Sequence, residues 1–105
     1  MSNRTDDFKK EILKSLQDPK LREAYVNAAL EDGDPKILLS VLEDCVQAVG
    51  GIPKIAKEIN LSRQAVNKMF SEKGNPRWDN LAKLLTVFGF RLKVSLTSKK
   101  ELAHA

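Results

Sequence analysis

Two Asp-Pro-Lys triplets, at residues 18–20 and 34–36, limit what this chain can fold into. In each triplet the aspartate can accept the free amide hydrogens of a first helical turn. Proline lacks an N–H group and has a backbone angle already close to helical, so it suits the first helical position. Both triplets therefore predict helix starts, and their close spacing predicts a bundle of short helices.

Apolar residues with three and four spacing predict three helices in the first half of the chain. A first, weaker helix starts near Asp6 or Asp7 and forms an N-terminal helical arm over residues 1–17. The second runs from Pro19 to about Gly33, and the third runs from Pro35 to the stop at Gly50-Gly51. The predicted apolar face of the first helix is Phe8, Ile12, Leu13 and Leu16, and that of the second is Leu21, Ala24, Tyr25, Ala28 and Ala29. The third helix has Leu38, Leu39, Leu42, Cys45, Val46 and Val49.

The elements after Gly51 are shorter. A short helix over residues 53–59 is followed by a break at Asn60-Leu61, and Ser62 is a good N-cap for a helix through Phe70. Another helix follows Pro76, carries Trp78, and ends at Gly89. The spacing of Trp78 with the following leucines favours a core or interfacial position over stacking on nucleic acid. Residues 18–96 are predicted to form a single helical domain, followed by a disordered tail over residues 97–105.

Residues 90–96 alternate strictly between apolar and polar, which predicts one β-strand in an otherwise all-α protein. A single strand leaves backbone donors and acceptors without partners. Antiparallel pairing of two copies across a two-fold axis would satisfy them and bury Leu92, Val94 and Leu96, so we expect a homodimer. The alternatives are a strand lying on its own helices or pairing with a partner protein.

Composition excludes several classes of protein. With 105 residues the chain allows one compact domain, and no apolar run approaches the roughly 18 residues of a membrane span. One cysteine and one histidine cannot form an intrachain disulfide or a Cys/His metal cage, so we expect no metal and no cofactor. The first ten residues lack the features of a secretory signal or transit peptide, which predicts a cytoplasmic protein.

The net charge of +4 conceals an asymmetry. Residues 1–50 hold 7 Lys and Arg against 10 Asp and Glu, a charge of −3, whereas residues 51–105 hold 11 against 4, a charge of +7. An excess of cations on one half is a cue for a polyanion, although a lysine-rich solvated surface would look the same.

Residues 53–70 have the layout of a helix-turn-helix, with a small residue, Ala56, where the two helices would cross. The outward positions near the start of the second helix carry side chains that can read base edges. Arg and Lys can donate to guanine, and Gln and Asn can pair with adenine. The predicted base-reading residues are Arg63, Gln64, Asn67 and Lys68. Because Ser62 opens this helix and Lys54 lies opposite, both suit backbone phosphates.

Residues 35–96 resemble the lambda-repressor-like Xre/Cro helix-turn-helix family. The blocks YVNAALEDGDPKILLSVLEDCVQAVGG, IAKEINLSRQAVNKMFSEKGNP and LAKLLTVFGFRLKV more closely resemble HigA-type addiction-module antidotes, the antitoxins of type II toxin-antitoxin modules. The resemblance implies a dimer that binds operator DNA, represses its own operon and neutralises a RelE/HigB-like ribonuclease toxin.

Carried onto this chain, the family's base-reading segment falls on the outward positions already named. Backbone contacts would fall on Ser62, Lys54, Lys73, Asn75 and Arg77. Many family members have a polar DNA-contacting residue where this chain has Ile52-Pro53, so we expect no DNA contact from those two residues.

The toxin-binding surface is predicted less directly. The acidic N-terminal half suits a basic nuclease by sign, and its extra helices are not needed for DNA binding. Exposure and charge select Tyr25, Glu31, Asp32 and Asp34, although each could simply belong to helices that cover the core.

Two other functions compete with the antitoxin, an enzyme and a free-standing repressor. The chain lacks a phosphate-binding glycine loop and an acid–base pair, and Cys45 has core spacing, so we expect no enzyme and no small-molecule substrate. The second is a free-standing Xre-type transcriptional repressor without a toxin, which would share every DNA-binding feature. A small basic reading frame beside the gene would separate the two.

Overall fold

A computed structural model describes residues 4–71 and 73–96. Over these residues the chain is all-helical, with six helices and no strand. The helices are α1 (Arg4–Ser15), α2 (Pro19–Asp32), α3 (Pro35–Ala48), α4 (Ile52–Glu58), α5 (Arg63–Met69) and α6 (Trp78–Val87). None of these helices is long and apolar enough to cross a membrane.

The Asp-Pro-Lys triplets start helices as predicted. The side chain of Asp18 accepts from the Lys20 amide at 2.9 Å, and that of Asp34 accepts from the Lys36 amide at the same distance. The proline that follows each aspartate is the first residue of α2 or α3. Helix α1 lies within the predicted arm but begins at Arg4, ahead of the predicted start.

Helix α3 lies at the centre of the fold, in contact with α1, α2 and α4. Its residues Cys45 and Val46 are completely buried. Helix α4 in turn contacts α5 and α6, so one continuous core runs through the whole bundle. The buried apolar residues are Leu16, Val26, Ala29, Val41, Leu42, Cys45, Val46, Ile55, Ala56, Ile59, Val66, Met69, Leu84 and Phe88.

The predicted buried face of α2 is wrong in part. The helix buries Arg22, Val26 and Ala29, whereas Leu21, Ala24 and Ala28 are exposed. Alanine contributes little apolar area, so a stripe built largely from alanines does not decide which face a helix buries. The buried arginine also falls where an apolar pattern would not place it.

Arg22 joins three helices. Its side chain extends from α2 and donates to the Leu16 carbonyl, just after the end of α1, at 2.9 Å. A second donor reaches the Phe88 carbonyl at the end of α6, at 3.2 Å. Carbonyl groups at helix C-termini carry partial negative charge, so they suit a buried cation. Only 8% of Arg22 is exposed. One side chain thus ties the first helix to the last.

A polar cluster fastens α1 to α3. Asp44 is buried and accepts from the Lys9 ammonium group and, at 3.3 Å, from the Tyr25 hydroxyl. The hydrogen bond to Asp44 raises the pKa of Lys9, and burial followed by the nearby Asp44 charge raises the pKa of Tyr25. Tyr25, predicted as a toxin contact, is therefore half-buried and engaged within the fold.

The strand predicted over residues 90–96 is absent from the single chain. Phe90 anchors the start of this segment, since its amide donates to the Leu85 carbonyl at 2.9 Å and its ring packs edge-on against Phe88 at 6.1 Å. Residues 91–96 are exposed and unpaired by any strand of the described chain. A strand needs a neighbour to complete its hydrogen-bond ladder, so pairing across a dimer stays a prediction. The predicted disordered tail, residues 97–105, lies outside the described residues.

Replacing Arg22 with methionine should lower the free energy of unfolding by about 2 kcal/mol, because two carbonyls at helix ends lose charge-assisted hydrogen bonds. Urea denaturation followed by circular dichroism measures the change. Lys20→Met, an exposed substitution on the same helix, is the matched control and should stay within about 0.5 kcal/mol of wild type. Equal stability of the two variants would contradict the role of Arg22.

Stability should fall at alkaline pH because of Cys45. Burial raises the pKa of this thiol from 9.0 to about 11. Because folding raises this pKa, the neutral thiol contributes fully to the free energy of unfolding below pH 9. That contribution is lost as the pH rises from 9 to about 11. Cys45→Ala should therefore remove about 2–3 kcal/mol of the pH dependence in this window. Urea titrations at pH 8 and pH 11 measure the free energy of unfolding of both proteins. If Cys45→Ala loses as much stability between the two pH values as wild type does, the assignment to Cys45 is wrong.

Candidate nucleic-acid interface

Helices α4 and α5 are joined by a tight connection of residues 59–62. Asn60 has a positive φ of 58°, a left-handed conformation that asparagine tolerates better than most residues. The Leu61 amide then donates back to the Ala56 carbonyl at 2.9 Å. Ser62 accepts from the Ala65 amide at 3.0 Å and caps α5. The predicted break and the predicted cap are both present.

Helices α4 and α5 pack through Ala56, predicted at their crossing, and through further buried apolar residues. Ala56 is 2% exposed, and its short side chain permits close approach of the neighbouring elements. Ile55, Ile59, Val66 and Met69 are buried around it. This core fixes the rotation of α5 about its axis, and therefore decides which side chains point away from the protein.

The outward face of α5 carries all of the predicted base-reading residues. Arg63, Gln64, Asn67 and Lys68 are exposed, while Val66 and Met69 on the opposite side are buried. The four side chains are therefore exposed as predicted, and base reading stays a prediction. Two cationic and two amide side chains lie on adjacent turns of one helix, where they can donate and accept hydrogen bonds without breaking contacts of the core.

The loop after α5 is held against the end of that helix. The Gly74 amide donates to the Ser71 carbonyl at 2.8 Å, and the Ser71 hydroxyl donates to the Lys68 carbonyl, also at 2.8 Å. A Cβ atom at Gly74 would lie 2.4 Å from the Met69 carbonyl oxygen, so the loop can approach this closely only with glycine. Lys73 and Asn75, on either side of Gly74, are exposed.

The remaining predicted backbone-contact residues are also on the surface. Lys54 is exposed on α4, with its aliphatic stem beside Gly50. Arg77 precedes α6, and its Nε donates to Asp79 at 3.2 Å in a pair exposed on both sides. Exposed ion pairs contribute little, so Arg77 can exchange this carboxylate for another anion.

Trp78 is 64% exposed at the start of α6. The core position that its spacing allowed is therefore wrong. Trp78 shares its face of α6 with Leu81 and Leu85, which are only half-buried, whereas the fully buried Leu84 and Phe88 lie on the neighbouring face. Trp78 directly follows Arg77 in sequence, at the end of α6 that is joined to the loop after α5.

The acidic residues predicted to contact a toxin have local roles in the fold. Asp34 caps α3, and Asp32 accepts from the Asp34 amide at 3.3 Å. Glu31 is exposed near the end of α2. All three surround the α2–α3 turn, closed by Gly33 with a positive φ of 85°. No cluster of three metal-ligating side chains occurs among the described residues.

Comparison with known proteins identifies the family. A family model described as "Probable addiction module antidote protein" matches residues 7–96. An uncharacterized protein of Haemophilus influenzae is 24% identical over 94 residues, which cover 90% of this chain and 94% of that protein. No solved structure matches the chain significantly. Because the family model spans all six helices except the first residues of α1, this chain belongs to the family of probable addiction module antidote proteins.

Proposed function

We propose that this protein is a DNA-binding antitoxin of the HigA type, which represses its own operon as a dimer and neutralises a RelE/HigB-like ribonuclease toxin. Membership of an antidote family implies a toxin partner of some kind. The observation that carries DNA binding is the outward face of α5, where Arg63, Gln64, Asn67 and Lys68 are exposed together.

The α4–turn–α5 unit supports reading of the major groove. In a helix-turn-helix protein of the Xre/Cro type the second helix enters that groove and its N-terminal residues contact base edges. Arg63 and Gln64 occupy the start of α5 and would make these contacts, with Asn67 and Lys68 one turn later. Arg and Lys favour guanine, and Gln and Asn favour adenine.

Three cations and one amide around α5 would hold the protein in position on the duplex. Lys54, Lys73, Asn75 and Arg77 are exposed on α4 and on the segment after α5, and would bind phosphates with the Ser62 backbone. Residues 51–105 carry a charge of +7. Phosphate neutralisation makes affinity depend strongly on salt, because condensed counterions are released.

The C-terminal segment supports dimerisation. Val94 and Leu96 are fully exposed and Leu92 is 46% exposed, so this apolar row is uncovered in the single chain. Antiparallel pairing with a second copy would cover the row and supply the ladder hydrogen bonds. A two-fold dimer would place two copies of α5 on successive half-sites of a palindromic operator.

In this proposal the protein acts by binding and is not an enzyme. It works in the cytoplasm. A free-standing Xre-type repressor is the second candidate, since it needs the same α5 surface. Neutralisation of the small basic protein encoded beside the gene favours the antitoxin, and toxicity that persists on co-expression favours the repressor.

Gln64→Ala should weaken binding to the duplex upstream of the protein's own gene by about 1–3 kcal/mol, because a bidentate contact to a base is lost. Fluorescence anisotropy at fixed salt measures the affinity. Gln47→Ala, an exposed glutamine on α3, is the matched control and should bind as wild type does. Equal affinities of both variants would refute the assignment of α5.

Val94→Pro should convert the dimer to a monomer, because proline removes a ladder donor from the strand. Light scattering gives the mass. Val94→Thr, which keeps a β-branched side chain and the amide, should remain dimeric. A dimeric Val94→Pro protein would show that residues 90–96 do not form the interface.

A further inference from the structure

A groove of about 500 Å³ lies between α1 and α2, on the face of α2 that does not enter the core. Its walls are largely apolar, with Phe8 and Ile12 on α1 and Leu21 on α2. Ala24 and Ala28 line the α2 side between these larger residues. The groove is formed by α1 and α2 alone, and it shares no residue with α5 or with residues 90–96.

Two large apolar side chains of the groove, Phe8 and Leu21, are left largely uncovered in the single chain. Phe8 is 64% exposed and Leu21 is 49% exposed. Helix α2 fulfils its packing through the opposite face, which carries the buried Arg22 and Val26. Exposed apolar residues that gather on both walls of a groove mark a binding surface more often than scattered ones do.

The shape of the groove suits a helix. Ala24 and Ala28 are one turn apart on α2, and such short side chains let the backbone of a second helix come close. An amphipathic helix docked in a groove buries an apolar stripe with anchors at three and four spacing. Phe8 and Leu21, on the two walls, would then contact opposite sides of that stripe.

The charges at the groove are acidic. Glu11 is the one charged residue of its lining among the described residues. Glu31 and Asp32 follow Ala28 by three and four positions on α2, so they continue the groove-facing stripe to the end of the helix. A second copy of this chain would bring the same acids against these acids. A partner with cations beside its apolar anchors fits both the walls and the ends.

We infer that the α1–α2 groove is the toxin-docking surface and that it takes an amphipathic, basic helix of the toxin. This inference rests on the proposed antitoxin function. It assigns toxin binding to α1 and α2, DNA reading to α5, and dimerisation to residues 90–96. Because the three surfaces share no residues, a toxin in the groove does not compete for the side chains assigned to DNA reading.

Matched variants of the full chain test the groove. Leu21→Gln removes an apolar wall, and Leu30→Gln is its control because Leu30 lies on the same helix, is 47% exposed, and does not line the groove. Glu11→Lys reverses the charge of the groove lining. Its control is Glu23→Lys, the same change at an exposed glutamate of α2 that does not line the groove. The probe is the purified, tagged small basic protein encoded beside the gene, and titration calorimetry measures its affinity. Circular dichroism and operator binding confirm the fold of each variant.

We expect Leu21→Gln and Glu11→Lys each to weaken toxin binding at least tenfold, with Leu30→Gln and Glu23→Lys within twofold of wild type and all four binding operator normally. If wild type binds the probe and the groove variants match their controls, the groove assignment is overturned while the antitoxin function stands. If wild type does not bind the probe, the proposed antitoxin function itself fails. Association of two copies through the groove, seen in light scattering as a mass that falls with Leu21→Gln but not with Leu30→Gln, would identify a second copy as the occupant and overturn the inference.

Discussion

Two hydrogen bonds from the buried guanidinium of Arg22 hold the first and last helices of the described chain in one domain. The guanidinium bonds to carbonyls that follow α1 and end α6, which are separated by most of the chain in sequence. Burying a cation is costly unless its hydrogen bonds are made, and here helix ends accept from both terminal nitrogens, while Nε has no partner among the described residues. The position of α2 therefore fixes where α1 lies and where the chain leaves α6 towards residues 90–96.

Helix α3 supplies the second constraint, because three helices pack on it. Its buried Asp44 holds Lys9 of α1 and Tyr25 of α2 in one polar cluster. The groove between α1 and α2 is a consequence of this arrangement: both helices turn one side to α3 and leave another uncovered. The same packing leaves the α1–α2 groove and the exposed face of α5 on different helices, which permits a separate partner for each.

Much of the fold and of the candidate interface followed from local patterns. Asp18 and Asp34 cap helices through contacts with residues two positions away, so the sequence around them suffices. The face of α5 was predictable because its apolar side chains are large and its outward side chains are polar. The buried face of α2 was predicted less well, because its alanines form a weak apolar pattern and one of its buried residues is Arg22. The core position allowed for Trp78 was wrong because its face of α6, shared with Leu81 and Leu85, is only half-buried at those leucines.

The sequence by itself determined where α2, α3 and α5 begin, which residues α5 presents, and the opposite charges of the two halves. These properties arise from hydrogen bonds within a turn and from side-chain periodicity, which act over a few residues. Only the tertiary structure decided that Arg22 is buried, that Gly74 lies against the Met69 carbonyl, and that Phe8 and Leu21 line one groove. Such contacts join residues far apart in the chain, or depend on how helices rotate against each other, and no local pattern specifies them.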